Sequence, residues 1–149
     1  MALDPATAAM ARAPLLEHLD PEALRLLAFA AETRSLRPGQ VLFERGERAE
    51  AGCLVVRGAV ILEDDPPVVA GPGDVIGRTA LFAPTTRPAT ARAGEASTVL
   101  VIAATLMRRI LEEFPHAAAA IQEELAADLV ALSAELAQVK GRLRGPAGR

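Results

Sequence analysis

A glycine-rich segment in the middle of the chain has the residue types of an anion-binding turn. It covers residues 71–93 and reads GPGDVIGRTALFAPTTRPATARA. Glycine-initiated turns and helix starts direct backbone N–H groups into one concavity, which binds anions such as phosphate. Arg87 follows Gly77 by ten positions, and a guanidinium matches phosphate oxygens in a bidentate way. We therefore predict a phosphate-binding turn whose concavity Arg87 also reaches.

The same segment resembles the phosphate-binding cassette of cyclic nucleotide-binding domains. The pattern of that family is roughly Gly-Glu-x-Ala-Leu, then five residues, then Arg-x-Ala-Thr. Six positions of this chain match the pattern, namely Gly77, Ala80, Leu81, Arg87, Ala89 and Thr90. The resemblance implies a ligand-binding set of nine residues: Gly77, Arg78, Thr79, Ala80, Leu81, Arg87, Pro88, Ala89 and Thr90.

Two positions depart from the family pattern. Arg78 replaces the glutamate that accepts a hydrogen bond from the ribose 2′-hydroxyl, and a guanidinium has no acceptor. Pro88 stands where family members commonly offer a backbone N–H, which proline lacks. Arg78 either adds a second positive charge to the pocket or points to solvent in a cassette that binds nothing. We expect no cofactor, and we expect cyclic nucleotides to bind weakly or not at all.

The composition excludes several classes of protein. A chain of 149 residues fits one domain, and an aromatic content of 3% without Trp or Tyr leaves few rings to stack on a nucleobase. A net charge of −3 argues against a nucleic-acid surface. The single cysteine excludes a disulfide framework. No secretory signal or membrane-spanning run is recognisable, so we predict a cytoplasmic protein.

The apolar pattern changes twice along the chain. Asp20-Pro21 is a typical helix start, and helical spacing predicts a helix over about 21–31. Short apolar runs separated by glycine then continue to Ile102 and predict an eight-strand roll. Three glycines resemble those at the corners of the β-roll in cyclic nucleotide-binding domains: Gly39, Gly46 and Gly58. With the cassette, they extend the resemblance over about residues 15–136. The predicted fold class is α+β, a β-roll of the double-stranded β-helix or jelly-roll type.

A second clear pattern lies in the C-terminal part of the chain. A helix is predicted over 104–114 and a long one over 116–143, with Pro115 between them. Apolar residues follow there at alternating spacings of four and three: Leu125, Leu129, Leu132, Leu136, Val139 and Leu143. This spacing is that of a coiled-coil seam, although an amphipathic helix packed on its own roll is the alternative. We predict a homodimer through this helix.

The expected organisation is a flexible segment 1–14, a roll with flanking helices 15–115, the long helix 116–143 and a tail 144–149. His18 and His116 lie far apart in sequence, so no metal site or cupin-type catalysis is expected. Cys53 is predicted to be a core residue.

The resemblance implies a non-enzymatic sensor of an anionic or nucleotide ligand. The alternative is a ligand-free module for dimerisation or for docking a partner protein. No winged helix-turn-helix follows the long helix, so direct DNA binding is not expected.

Overall fold

The computed structural model of the chain describes residues 5–13 and 15–126. Within them, ten short strands follow one another between helical segments. The strands are β1 (Glu32–Leu36), β2 (Val41–Phe43), β3 (Arg48–Ala49), β4 (Ala51–Arg57), β5 (Val60–Glu63), β6 (Val68–Ala70), β7 (Val75–Ile76), β8 (Thr85–Thr86), β9 (Thr90–Ala93) and β10 (Ser97–Ala103).

Helices precede and follow the strands. They are α1 (Pro5–Arg12), α2 (Pro21–Ala30), α3 (Ala104–Glu113) and α4, which is described over residues 115–126. Two 3₁₀ helices lie at Leu16–His18 and Arg78–Leu81. Pro21 starts α2 because its fixed φ suits a first helical position. Pro115 begins α4 after Phe114 leaves the helical conformation.

The strands form two antiparallel four-stranded sheets that face each other. The first sheet has the order β1-β10-β4-β7 and the second the order β2-β9-β5-β6, while β3 and β8 form a separate ribbon. Side chains from both sheets form an inner cluster, in which Val55 and Val99 meet Val60 and Ala91. The two sheets are therefore the halves of a roll with an apolar interior.

A second cluster covers the outer face of the first sheet. Strands β4 and β10 are buried on both faces: Leu54, Leu100 and Ile102 point outward to the helices, whereas Val55 and Val99 belong to the inner cluster. Because a strand alternates its side chains, burial on both faces produces the continuous apolar runs seen in the sequence. The outer cluster joins α1, α2, α3 and α4 to the roll.

The α+β roll with flanking helices is confirmed, and three details differ from expectation. The described residues contain ten strands instead of the eight expected, because the polar pair of β3 and β8 forms a ribbon that leaves no apolar pattern. Helix α2 ends at Ala30, since Ala31 takes an extended backbone. Residues 1–14 were expected to be flexible, yet residues 5–12 form α1, whose Ala9 and Met10 are fully buried. Small alanine side chains allow α1 to pack closely on the sheet without a strong apolar stripe.

Candidate ligand-binding site

The predicted turn begins at a glycine in the left-handed conformation. Gly77 follows β7 with φ 75° and ψ 50°, and the 3₁₀ helix Arg78–Leu81 starts directly after it. The N–H of Ala80 donates to the carbonyl oxygen of Gly77 at 3.0 Å. This N–H is therefore engaged within the turn, in contrast to the expectation that it would face a ligand. Ala80 and Leu81 are buried and anchor the turn to the outer cluster.

The backbone of Arg87 is fixed to the turn that precedes β3. Its N–H donates to the carbonyl oxygen of Glu47 at 2.8 Å, and its own carbonyl oxygen accepts from the N–H of Gly46 at 2.9 Å. These two bonds hold the chain between β8 and β9 against the loop between β2 and β3. The side chain of Arg87 consequently enters the roll from its edge, and only 8% of the residue surface is exposed.

The guanidinium of Arg87 lies between an aromatic ring, a carbonyl group and Gly77. Its Cζ is 4.1 Å from the centroid of the Phe43 ring, a cation–π contact. Its Nη2 donates to the carbonyl oxygen of Ala51 at 2.8 Å. Its Nη1 lies so close to Gly77 that a Cβ built there would be 2.7 Å away. The position of the guanidinium is thus defined on three sides.

Arg87 differs from Arg34, Arg48 and Arg92 in having no carboxylate partner within the described part of the chain. Arg34 pairs with Glu32 at 3.2 Å, Arg48 with Glu50 at 3.1 Å, and Arg92 with Glu63 at 2.8 Å. Those three pairs are all substantially exposed, whereas Arg87 is buried. A buried charge without a counter-charge is costly. The site therefore carries a positive charge that an anion would neutralise.

A cavity of about 300 Å³ opens beside the guanidinium. This volume is at the small end of the range for ligand pockets, about 300–1,000 Å³. Its lining combines buried side chains from both sheets with charged side chains near the β3–β4 corner: Arg34, Leu42, Phe43, Glu47, Arg48, Glu50, Ala51, Cys53, Arg87, Val101 and Ala103. The cavity can take a small anion together with an apolar group of modest size.

Only Arg87, of the nine residues predicted to bind ligand, lines this cavity. Gly77 contacts the guanidinium from outside the lining. Arg78 is half-buried, Thr79 and Pro88 are exposed, and Ala80, Leu81 and Ala89 are buried. The hydroxyl oxygen of Thr90 accepts from the N–H of Arg45 at 3.0 Å, so it stabilises the neighbouring loop.

Sequence reasoning missed most of the lining. Phe43 and Arg34 were not singled out, although Arg34 lies two residues before buried Leu36 in β1. Because a strand alternates its faces, this spacing places Arg34 on the inner face. The spacing could have identified Arg34 as a residue of the cavity. Cys53 is a buried core residue as predicted, and it also borders the cavity.

The thiol of Cys53 reports the electrostatics of the cavity. Burial raises the pKa of Cys53 above its ordinary value. The positive charges of Arg87 and then Arg34 act in the opposite direction, and Glu32 adds a small increase. Burial is the larger effect, so the neutral form of the thiol is favoured.

The predicted dimer seam lies largely outside the described residues. Leu125 is half-buried and packs against the outer cluster of its own chain. The other five positions fall in the part that the structure does not describe: Leu129, Leu132, Leu136, Val139 and Leu143. Among the described residues, no helix has the length and apolar character needed to cross a membrane.

Comparison with known proteins identifies relatives that cover most of the chain. Residues 33–114 match the family model of the cyclic nucleotide-binding domain. A cyclic nucleotide-binding-like protein from Brucella abortus is 39% identical, with a TM-score of 0.64, over 73% of this chain and 99% of that one. The N-terminal domain of a transcriptional regulator from Streptomyces coelicolor is 27% identical, with a TM-score of 0.77, over 86% of this chain and 94% of that domain. The Thermus thermophilus catabolite activator protein is 25% identical, with a TM-score of 0.70, over 86% of this chain and 63% of that protein. No curated protein sequence matches the chain significantly.

Proposed function

Because the chain belongs to the cyclic nucleotide-binding domain family, we propose that it is a non-enzymatic sensor module that binds a phosphate-bearing small molecule at Arg87. The observation that supports this proposal best is the burial of a guanidinium that has no carboxylate partner among the described residues. Arg87 is 8% exposed, and the one hydrogen bond of its guanidinium among the described residues goes to the Ala51 carbonyl. A guanidinium has five donors, so Arg87 retains donors for the oxygens of an anion.

The lining residues indicate which kind of anion suits the site. Phe43 offers an apolar face next to the guanidinium, and Arg34, which is paired with Glu32, also lines the cavity. Arg78 cannot accept a hydrogen bond from a ribose 2′-hydroxyl, and Pro88 offers no N–H. We therefore expect the ligand to be recognised through its phosphate, with weak discrimination of a ribose.

The turn that begins at Gly77 contacts both the Arg87 guanidinium and the outer cluster that includes α3. Leu81 ends the 3₁₀ helix that follows Gly77, and it lies in the outer cluster beside Met107 and Ile110 of α3. A shift of the turn on ligand binding would move Leu81 and thereby alter the packing of α3. We propose this movement, continued through the helix 116–143 and its predicted dimer seam, as the output of the sensor.

Substitution of Arg87 tests the proposal. Calorimetry with inorganic phosphate, cyclic AMP, cyclic GMP and cyclic dinucleotides identifies a binding anion. Arg87→Met keeps an apolar stem on Phe43 but removes the charge, so the affinity should fall by roughly tenfold to a hundredfold. Arg87→Lys keeps the charge without the fork and should be intermediate. Arg92→Met, which removes an exposed arginine paired with Glu63, is the control and should bind normally.

The ligand-free alternative predicts another result. It is favoured by the two departures at Arg78 and Pro88, and it assigns the chain to dimerisation or to docking a partner protein. In that case none of the anions binds, and Arg87→Met merely increases the stability of the protein to unfolding by removing a buried charge. Anion binding that Arg87→Met leaves unchanged would refute the assignment of Arg87.

A further inference from the structure

The fold brings a histidine and two glutamates together at a distance from the cavity. His18 ends the 3₁₀ helix Leu16–His18, and its Nε2 is 3.6 Å from Oε1 of Glu124 in α4. Glu17 belongs to the same 3₁₀ helix and is exposed. One possible ligand atom from each of the three side chains lies within 4.8 Å of the other two. The cluster therefore bridges the N-terminal turn and the C-terminal helix.

Two atoms of this cluster are buried without a hydrogen-bond partner. They are Nε2 of His18 and Oε2 of Glu124, although each side chain is 31% exposed as a whole. Buried nitrogen and oxygen atoms are nearly always paired, because an unpaired one loses its hydration without replacement. Two such atoms from separate elements, in a cluster whose possible ligand atoms lie within 4.8 Å of one another, point to a missing ligand that accepts lone pairs.

The donor set determines the class of this ligand. One imidazole nitrogen with two carboxylates suits a first-row divalent transition ion, whereas Ca²⁺ and Mg²⁺ prefer oxygen alone. Zn²⁺ binds such atoms at about 2.0–2.1 Å, so tetrahedral ligand atoms lie about 3.3 Å apart. Because the separations reach up to 4.8 Å, the carboxylates of Glu17 and Glu124 would have to move toward the imidazole to share one ion. We propose that Glu17, His18 and Glu124 form a Zn²⁺-type metal site that fastens α4 to the N-terminal turn.

The second histidine provides an internal contrast. His116 lies on the same helix α4, and its Nε2 is 3.1 Å from Oδ2 of Asp20. Its side chain is 66% exposed and belongs to no such three-residue cluster of the described chain. A His–Asp pair offers only two ligand atoms, so His116 should contribute little to metal binding. The sequence contains no other histidine.

The experiment uses the full-length chain without an affinity tag, freed of metal by a chelator. Calorimetry with ZnCl₂ should show one site per chain, and Co²⁺ should give the visible absorption of a tetrahedral ion. His18→Ala and Glu124→Gln should each weaken Zn²⁺ binding by at least about tenfold. His116→Ala should leave the affinity unchanged. Zn²⁺ should also raise the melting temperature of the wild type and of His116→Ala only.

Two outcomes would overturn the site. One is the absence of saturable Zn²⁺ or Co²⁺ binding to the wild type at concentrations up to about 100 µM, a limit that corresponds to a weak site. In that case His18 and Glu124 form a simple ion pair. The other is an equal loss in His116→Ala and His18→Ala. Glu124→Gln preserves the shape of a half-exposed side chain, so it reports on the site even if His18→Ala fails to fold.

Discussion

The guanidinium of Arg87 occupies the space in which a side chain at Gly77 would begin. A Cβ atom at Gly77 would lie 2.7 Å from Nη1 of Arg87, and Gly77 also has a φ of +75°. The backbone conformation favours glycine, since L-residues pay strain energy in this region, and a Cβ atom would fit only if the guanidinium moved. The turn and the arginine therefore form one unit, although ten positions separate them in sequence.

Gly77→Ala should separate the contribution of backbone strain from that of the contact. Left-handed strain costs about 1–2 kcal/mol of unfolding free energy, and the methyl group also displaces the guanidinium. Gly39→Ala is the matched control, because Gly39 has a φ of +83° with nothing within 4 Å of its Cβ position. Urea titration should show similar losses of stability in both variants. Calorimetry should show weaker anion binding in Gly77→Ala alone, and equal affinities would argue against the contact.

Arg78→Glu should strengthen the binding of cyclic AMP. The wild type should bind it near the millimolar range, because a ribose hydroxyl without an acceptor costs on the order of 1–3 kcal/mol. The glutamate restores the acceptor of the family pattern. Arg78→Gln, which supplies a neutral acceptor, should give a smaller gain. Sub-micromolar binding of cyclic AMP by the unmodified protein would show that Arg78 does not occupy the position assigned to it.

Cys53 should make the protein less stable at alkaline pH. Burial raises the pKa of its thiol in the folded state, so the unfolded chain loses this proton first. The contribution of Cys53 to stability is then fully present below the unfolded pKa and is lost as the pH rises through the higher folded pKa. The chain has no Tyr and one Lys, Lys140, so few other side chains titrate there. Urea midpoints should fall less steeply with pH in Cys53→Ala, and parallel profiles would contradict the assignment.

The heptad pattern beyond the described residues should support a dimer. Replacement of Leu132 and Leu136 together by Asp places charges in the predicted seam and should convert the protein to a monomer. Ala134→Asp with Ala137→Asp changes positions outside the seam and should leave the dimer intact. Analytical ultracentrifugation at tens of micromolar distinguishes the two states. A wild-type monomer at that concentration would exclude this dimer.

The parts of the fold that could be predicted are those set by local chemistry. Gly77 and Arg87 belong to one short segment, and the doubly buried strands β4 and β10 show continuous apolar runs. The cavity was harder to predict from the sequence, because Phe43, Arg34 and Cys53 come from three strands that only the topology brings together. Similarly, His18 and Glu124 are separated by most of the chain. Helix α1 was missed since alanine packing leaves little periodic pattern.

The outer cluster determines which residues an expressed fragment of this protein must contain. The family match covers residues 33–114, yet α1, α2 and α4 lie outside it and cover Leu54, Leu100 and Ile102. A recombinant fragment trimmed to the matched limits would expose an apolar sheet face to water. Such surfaces promote self-association. Expression of 33–114 should therefore yield inclusion bodies, whereas a fragment that retains the flanking helices should remain in the supernatant.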